Sequence, residues 1–164
     1  YIGFGSMGAA RAAGRTRLVL EAVALSGERA VLATGWGGLL PAEVPANVFV
    51  LESAPHDWLF PRMSAVVHHG GAGSTMAGLR AGKPTVVCPF FGDQPFWGRV
   101  VERRGVGPRP VPQRSLTPAG LAWAIRAALG PSVVAEAAAM GARIRAEDGA
   151  GNAVRIIERA HASP

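Results

Sequence analysis

The chain has 164 residues, 49% of them hydrophobic, which favours one domain with a sizeable core. A single cysteine, Cys88, excludes a disulfide framework within the chain. No apolar run approaches the roughly 18 residues of a membrane-spanning helix. The formal net charge of +6 is carried almost entirely by arginine, Lys83 being the only lysine. The arginines are scattered, with Arg99, Arg103 and Arg104 the densest group, and aromatics do not alternate with them as in a nucleic-acid surface.

In chain order, residues 1–4 read as the second half of a strand, and Tyr1 is not a natural start, so a piece of something larger is expected. Gly3-Phe4-Gly5-Ser6-Met7-Gly8 follows, a literal G-x-G-x-x-G, and then a helix over 10–25. A dinucleotide site needs an acidic residue after the second strand, but the strand at 30–33 ends in Thr34-Gly35-Trp36. A tight turn offering Gly5 N–H and Ser6 to a phosphate fits better. Trp36 stays open between a packed turn residue and a rim residue near a ligand base. A strand at 48–51 and a short helix at 57–60 come next.

The strand at 65–68 runs into His68-His69-Gly70-Gly71-Ala72-Gly73-Ser74-Thr75 and then a helix over 74–81. Strand, glycine turn and helix N-terminus aim backbone N–H groups and the positive end of a helix dipole at one spot. His69, Ser74 and Thr75 add donors, so the segment suits a phosphate or diphosphate. Adjacent strand-end residues point to opposite sides, so His68 reads as a packed, hydrogen-bonded histidine. Metal ligands at matching spacing are not seen, and no metal is expected.

The strand at 85–88 contains Cys88, read as a buried inert thiol. It leads to Gly92-Asp93-Gln94 and a helix over 94–104. Asp93 and Gln94 offer planar acceptors and a donor for sugar hydroxyls, although Asp93 also suits a helix N-cap ahead of Pro95. A Pro-rich extended piece spans 107–112. Thr117-Pro118 starts a helix bearing Leu121, Ile125 and Leu129. Helices over 133–145 and from about 151 close the chain, the last with Val154, Ile156 and Ile157 on its apolar side.

Continuous apolar strands separated by helices predict an α/β fold, a doubly wound parallel sheet with a helical C-terminal tail. Ligands of such sheets bind at the C-terminal strand edge, where both polar clusters fall.

Phe4-Gly5-Ser6, Ala54-Pro55-His56, the segment 69–75, Ala81-Gly82-Lys83-Pro84 and Pro89-Phe90-Phe91-Gly92-Asp93-Gln94-Pro95 occur in this order. Over roughly residues 1–125 the chain resembles the C-terminal, donor-binding half of the UDP-glycosyltransferases of GT-B fold. Residues 55–61 with 89–97 are most similar to the sterol 3β-glucosyltransferase branch, and bacterial polyketide and glycopeptide glycosyltransferases share many features. The resemblance implies that residues 1–164 form a Rossmann-like nucleotide-sugar domain whose N-terminal acceptor-binding partner domain is absent from this chain. It implies His69, Gly71, Gly73, Ser74, Thr75 and Ser6 at the diphosphate; Ala54, Pro55 and His56 at base and ribose; and Asp93 and Gln94 at the sugar. Plant members carry a base-stacking tryptophan at the position of Ser53 and a ribose-binding glutamate at that of Ala77, and this chain has neither. Base stacking must then come from elsewhere, and Trp36 is the candidate for it.

The expected reaction is an inverting, metal-independent transfer from a UDP-sugar, UDP-glucose above others, to a hydroxyl of a hydrophobic acceptor such as a sterol, lipid or polyketide. No cofactor beyond the donor is expected, and the catalytic base belongs to the N-terminal half. The expected setting is cytoplasmic, without nucleic acid, and the hydrophobic acceptor leaves peripheral membrane contact open. The alternatives are an NAD(P)-binding oxidoreductase module and a non-enzymatic basic binding domain.

Overall fold

Val66 and Val67 are neighbours in sequence and buried on opposite faces of one sheet. Val67 packs with Val19 and Leu121, while Val66 packs with Leu59 and Phe60. In the computed structural model, which describes residues 1–5, 12–35 and 43–162, five parallel strands form this sheet. They are β1 (Ile2–Gly3), β2 (Ala30–Ala33), β3 (Val48–Leu51), β4 (Val66–His68) and β5 (Thr85–Val87), in the order β3-β2-β1-β4-β5. Ser6 and Trp36 lie outside the described residues, as does the second half of the G-x-G-x-x-G turn.

Helices cover both faces, which is why the strands are apolar throughout rather than alternating. On one side α1 (Ala12–Ser26) and α5 (Pro118–Ala128) bring Val19, Val23, Leu121 and Ile125 onto Leu32, Val67 and Val86. On the other, α3 (Ala72–Arg80), α4 (Gln94–Arg103) and α6 (Pro131–Ala146) supply Leu79, Val101 and Ala137 to a cluster with Val87. A single turn of helix, α2 (His56–Leu59), continues into a 3-10 turn at Phe60–Arg62.

Local chemistry sets the element ends. Thr117 caps α5 as its sequence promises, its hydroxyl accepting from Gly120 N at 3.1 Å. Helix α3 begins two residues earlier than expected because Gly71 is the N-cap, which places Ala72 and Gly73 inside the first turn. The piece after α4 runs beside β5: Thr85 N donates to Val106 O, Val111 N to Val87 O and Gln113 N to Pro89 O. Pro108, Pro110 and Pro112 occupy the alternate positions, so this flank offers no N–H there to a further strand.

The last helix, α7 (Gly149–Ala162), departs from the expectation of a packed apolar side, since Val154, Ile156 and Ile157 are all exposed. No helix among the described residues is long and apolar enough to cross a membrane.

Candidate functional site

The strand order reverses between β1 and β4. Strands β2 and β3 lie to one side of β1, and β4 and β5 to the other. A crevice opens at such a switch point, outside the C-terminal strand ends. Gly3 and His68 are paired in register, so the residues that follow them, Phe4-Gly5 and His69-Gly70, leave the sheet side by side. The two turns meet: a Cβ added at Gly5 would lie 3.6 Å from His69 Cε1.

Gly70 has φ +92°, and a side chain there would strike Val87 Cγ1 and Gln94, so the turn closes onto β5 and α4 only with glycine. Gly71 then caps α3, and a Cβ on it would come within 2.6 Å of His69 Nε2. The imidazole of His69 therefore lies directly over the helix start. Thr75 N donates to Gly71 O at 3.0 Å, closing the first turn. The N–H groups of Ala72, Gly73 and Ser74 precede that bond and have no acceptor within the helix. Ala72 and Gly73 are exposed, and a Cβ at Gly73 would meet nothing within 4 Å. Donors thus face open space beside an imidazole and the positive end of a helix dipole, which is the chemistry of an anion site.

Thr75 departs from its expected role. It is fully buried, and its hydroxyl donates to Gly71 O at 2.9 Å, the back-bond open to a helical threonine. It ties the helix start together and does not face the cleft. His68 is packed and hydrogen-bonded, as expected. It is 1% exposed, and its Nδ1 accepts from Gly70 N at 2.9 Å, so the proton sits on Nε2. That Nε2 is buried with no partner among the described residues, as is His69 Nδ1. Burial, with smaller contributions from His69 and His56, brings His68 down to about 3. His69 is also lowered, by burial first, with the Asp93 carboxylate pulling it up and His56 pushing it down. A neutral imidazole at the anion site donates from one nitrogen only.

The second cluster follows β5. Asp93 occupies the N-cap position of α4 but makes no side-chain cap bond. Its Oδ2 instead accepts from Trp97 Nε1 at 3.0 Å, one turn along the helix. Capping is therefore not what holds Asp93 in place, and its carboxylate is exposed at the cleft end of the helix. Gln94 departs from the expectation of an open sugar ligand. It is 6% exposed, and its Oε1 accepts from Phe90 N at 2.7 Å and Phe91 N at 3.3 Å, closing the loop that carries Asp93.

Ala54, Pro55 and His56 follow β3 but turn back over the sheet, Ala54 packing against the cluster of Leu59, Phe60 and Val66. His56 begins α2, stacked on Phe60 with centroids 4.2 Å apart and edge-on to Tyr1 at 6.1 Å. Burial lowers it, against the opposing charge of Asp57. The three clusters fall along one strand edge, at the ends of β3, β4 and β5. An extended ligand with an anionic centre fits that arrangement.

Three residues not anticipated from sequence also serve the β5 loop. Trp97 holds Asp93. Arg15 Nε donates to Gln113 Oε1 at 3.3 Å, and its guanidinium lies 5.1 Å from the centroid of the Phe90 ring. Gln113 Nε2 reaches Cys88 O at 3.5 Å. Only the four-residue spacing of Asp93 and Trp97 was available in the sequence as a signal; Arg15 and Gln113 are 98 positions apart. Cys88 is buried, and burial pushes its thiol up to about 12, so it is inert. Among the described residues no three His, Cys, Asp or Glu side chains gather as metal ligands.

Residues 7–156 match the model of a family described as erythromycin biosynthesis protein CIII-like, C-terminal domain. The chain is similar to the sterol 3-beta-glucosyltransferase UGT80B1 of Arabidopsis thaliana, 46% identical over 161 residues, covering 97% of this chain and 26% of that protein. It is 41% identical over 168 residues to a sterol 3-beta-glucosyltransferase of Aspergillus fumigatus, covering 97% of this chain and 12% of that one. The chain thus spans about a quarter or less of the curated relatives it matches. The solved glycosyltransferase of kitacinnamycin superposes with a TM-score of 0.80 at 28% identity, over 96% of this chain and 42% of that one.

Proposed function

This chain belongs to the erythromycin biosynthesis protein CIII-like C-terminal domain family, of glycosyltransferase GT-B fold, and from that membership we propose that it binds the nucleotide-sugar donor of a glycosyl transfer. The observation that carries the reading is the placement of His69 over the start of α3 at the switch point, with the N–H groups of Ala72, Gly73 and Ser74 open beside it. In this reading the diphosphate of a UDP-sugar, UDP-glucose first among candidates, occupies that spot. The loop of Ala54, Pro55 and His56 takes the base and ribose, and Asp93 takes sugar hydroxyls. Gln94 and Gln113 keep the Asp93 loop in place.

The acceptor oxygen attacks the anomeric carbon from the face opposite the diphosphate, and configuration inverts. The bond from that carbon to the diphosphate oxygen breaks, its electron pair leaves with UDP, and the acceptor's hydroxyl proton passes to a base. What this chain contributes is stabilisation of the charge gathering on the departing diphosphate: preorganised amides, an imidazole and a helix dipole. No metal or further cofactor is invoked. We assign no base here; it belongs to an N-terminal domain that also holds most of a hydrophobic acceptor.

The isolated chain should bind UDP and UDP-glucose yet form no glycoside. Glycoside formation by this chain alone contradicts the division of labour, and preference for NAD over UDP contradicts the donor reading.

A further inference from the structure

Two phenylalanines straddle Asp93, and both are turned outward: Phe91 is 64% exposed and Phe96 49%. Their neighbour Phe90 behaves differently. It is half-buried and packs edge-on against the core residue Phe4, with centroids 6.1 Å apart. The loop therefore places one ring of the Phe90-Phe91 pair inside and leaves the other out. Phe96 does not stand alone, since its ring meets Trp97 edge-on at 5.2 Å, and Trp97 Nε1 holds Asp93 Oδ2. Aromatic surface is thus continuous with the carboxylate. On the other flank, Phe91 is fixed by its backbone, its N–H donating to Gln94 Oε1 at 3.3 Å.

We propose that Phe91 and Phe96 form a ledge for the hydrocarbon body of the acceptor, an alcohol with a flat or extended apolar skeleton. The inference rests on Asp93 holding the donor sugar, as argued above. An acceptor oxygen must come to about 3–3.5 Å from the anomeric carbon before it reacts. Whatever carries that oxygen lies beside the groups that hold the sugar. Beside Asp93 this chain offers two exposed rings. A small polar alcohol gains little from them, whereas a polycyclic or long-chain alcohol covers them. Acceptor selection is then shared between both halves of the enzyme, with this half contributing an apolar wall next to the reacting bond.

The test uses the full-length protein that carries this domain, with UDP-glucose as donor and two acceptors, a polycyclic alcohol and a short water-miscible one. Phe91→Ser and Phe96→Ser are compared with the parent. Both positions are exposed, and unchanged melting temperature and UDP affinity in each variant establish that the fold and donor site are intact. Each substitution should raise KM for the polycyclic alcohol about tenfold, the scale expected for one partly buried aromatic ring. KM for UDP-glucose and transfer to the short alcohol should hold. An unchanged KM for the polycyclic alcohol overturns the ledge, and so does an equal loss with the short alcohol. A parent protein that neither binds nor uses UDP-glucose overturns the donor reading itself, and the ledge with it.

Discussion

Trp97 Nε1 donates to Asp93 Oδ2 at 3.0 Å, so the carboxylate at the cleft end of α4 is aimed by its own helix. Trp97→Phe keeps the aromatic contact with Phe96 but removes the donor. Transfer from the sugar nucleotide should fall by about tenfold, the lower end for a hydrogen bond to a charged group. Affinity for free UDP should stay at its original value. Equal losses in both measurements would show that Trp97 supports the whole domain rather than the sugar contact.

Gly73 offers a cleaner probe of the phosphate position. Its added Cβ meets nothing within 4 Å, and it lies in the first turn of α3. Gly73→Ala should stabilise the helix by up to about 1 kcal/mol while placing a methyl group where the phosphate belongs. Melting temperature should rise and UDP affinity should fall. A rise in both would put the anion elsewhere.

The histidines give the domain an acid limit. His68 titrates at about 3 when folded against 6.5 as its ordinary value. Between those values the unfolded chain binds a proton that the folded chain does not. The contribution to stability is full above pH 6.5 and is lost as pH falls toward 3, by at most about 1.4 kcal/mol per pH unit for one proton. His56 and His69, both lowered by burial, act in the same direction. Urea unfolding midpoints should drop from about pH 7 to about pH 5, and His68→Gln should flatten that drop. Midpoints independent of pH across this interval would contradict the buried, neutral assignment.

Much of this was readable in the sequence because it depends on neighbours in the chain. The strand–glycine turn–helix order around His69 carries its own geometry, and Thr117-Pro118 carries its own cap. The apolar runs at 66–67 and 86–87 announce a sheet buried on both faces. What stayed hidden depends on rotamers and distant partners. Thr75 reads in the sequence as a ligand donor, but inside the helix its hydroxyl bonds back to Gly71 O. Gln94 reads as a sugar ligand until Phe90 and Phe91 are seen to need an acceptor for their N–H groups. Nothing local marks Arg15 and Gln113 as partners.

That distant pair makes a separate prediction. Arg15 Nε donates to Gln113 Oε1 at 3.3 Å, and Gln113 Nε2 donates to Cys88 O at the root of the Asp93 loop. Arg15→Ala and Gln113→Ala should therefore be non-additive, with a coupling of about 0.5–1 kcal/mol in unfolding free energy. Strict additivity in a double-mutant cycle would show that the two side chains act independently.

The central claim is that a nucleoside diphosphate sits under His69 at the start of α3, and calorimetric titration of this chain with UDP tests it most directly. The parent should bind. His69→Ala should lose roughly 1.5–3 kcal/mol of binding, the value of a hydrogen bond to a charged group. Gly71→Val should lose at least as much, because a Cβ there already comes within 2.6 Å of His69 Nε2. Undiminished UDP affinity in both folded variants would contradict the account.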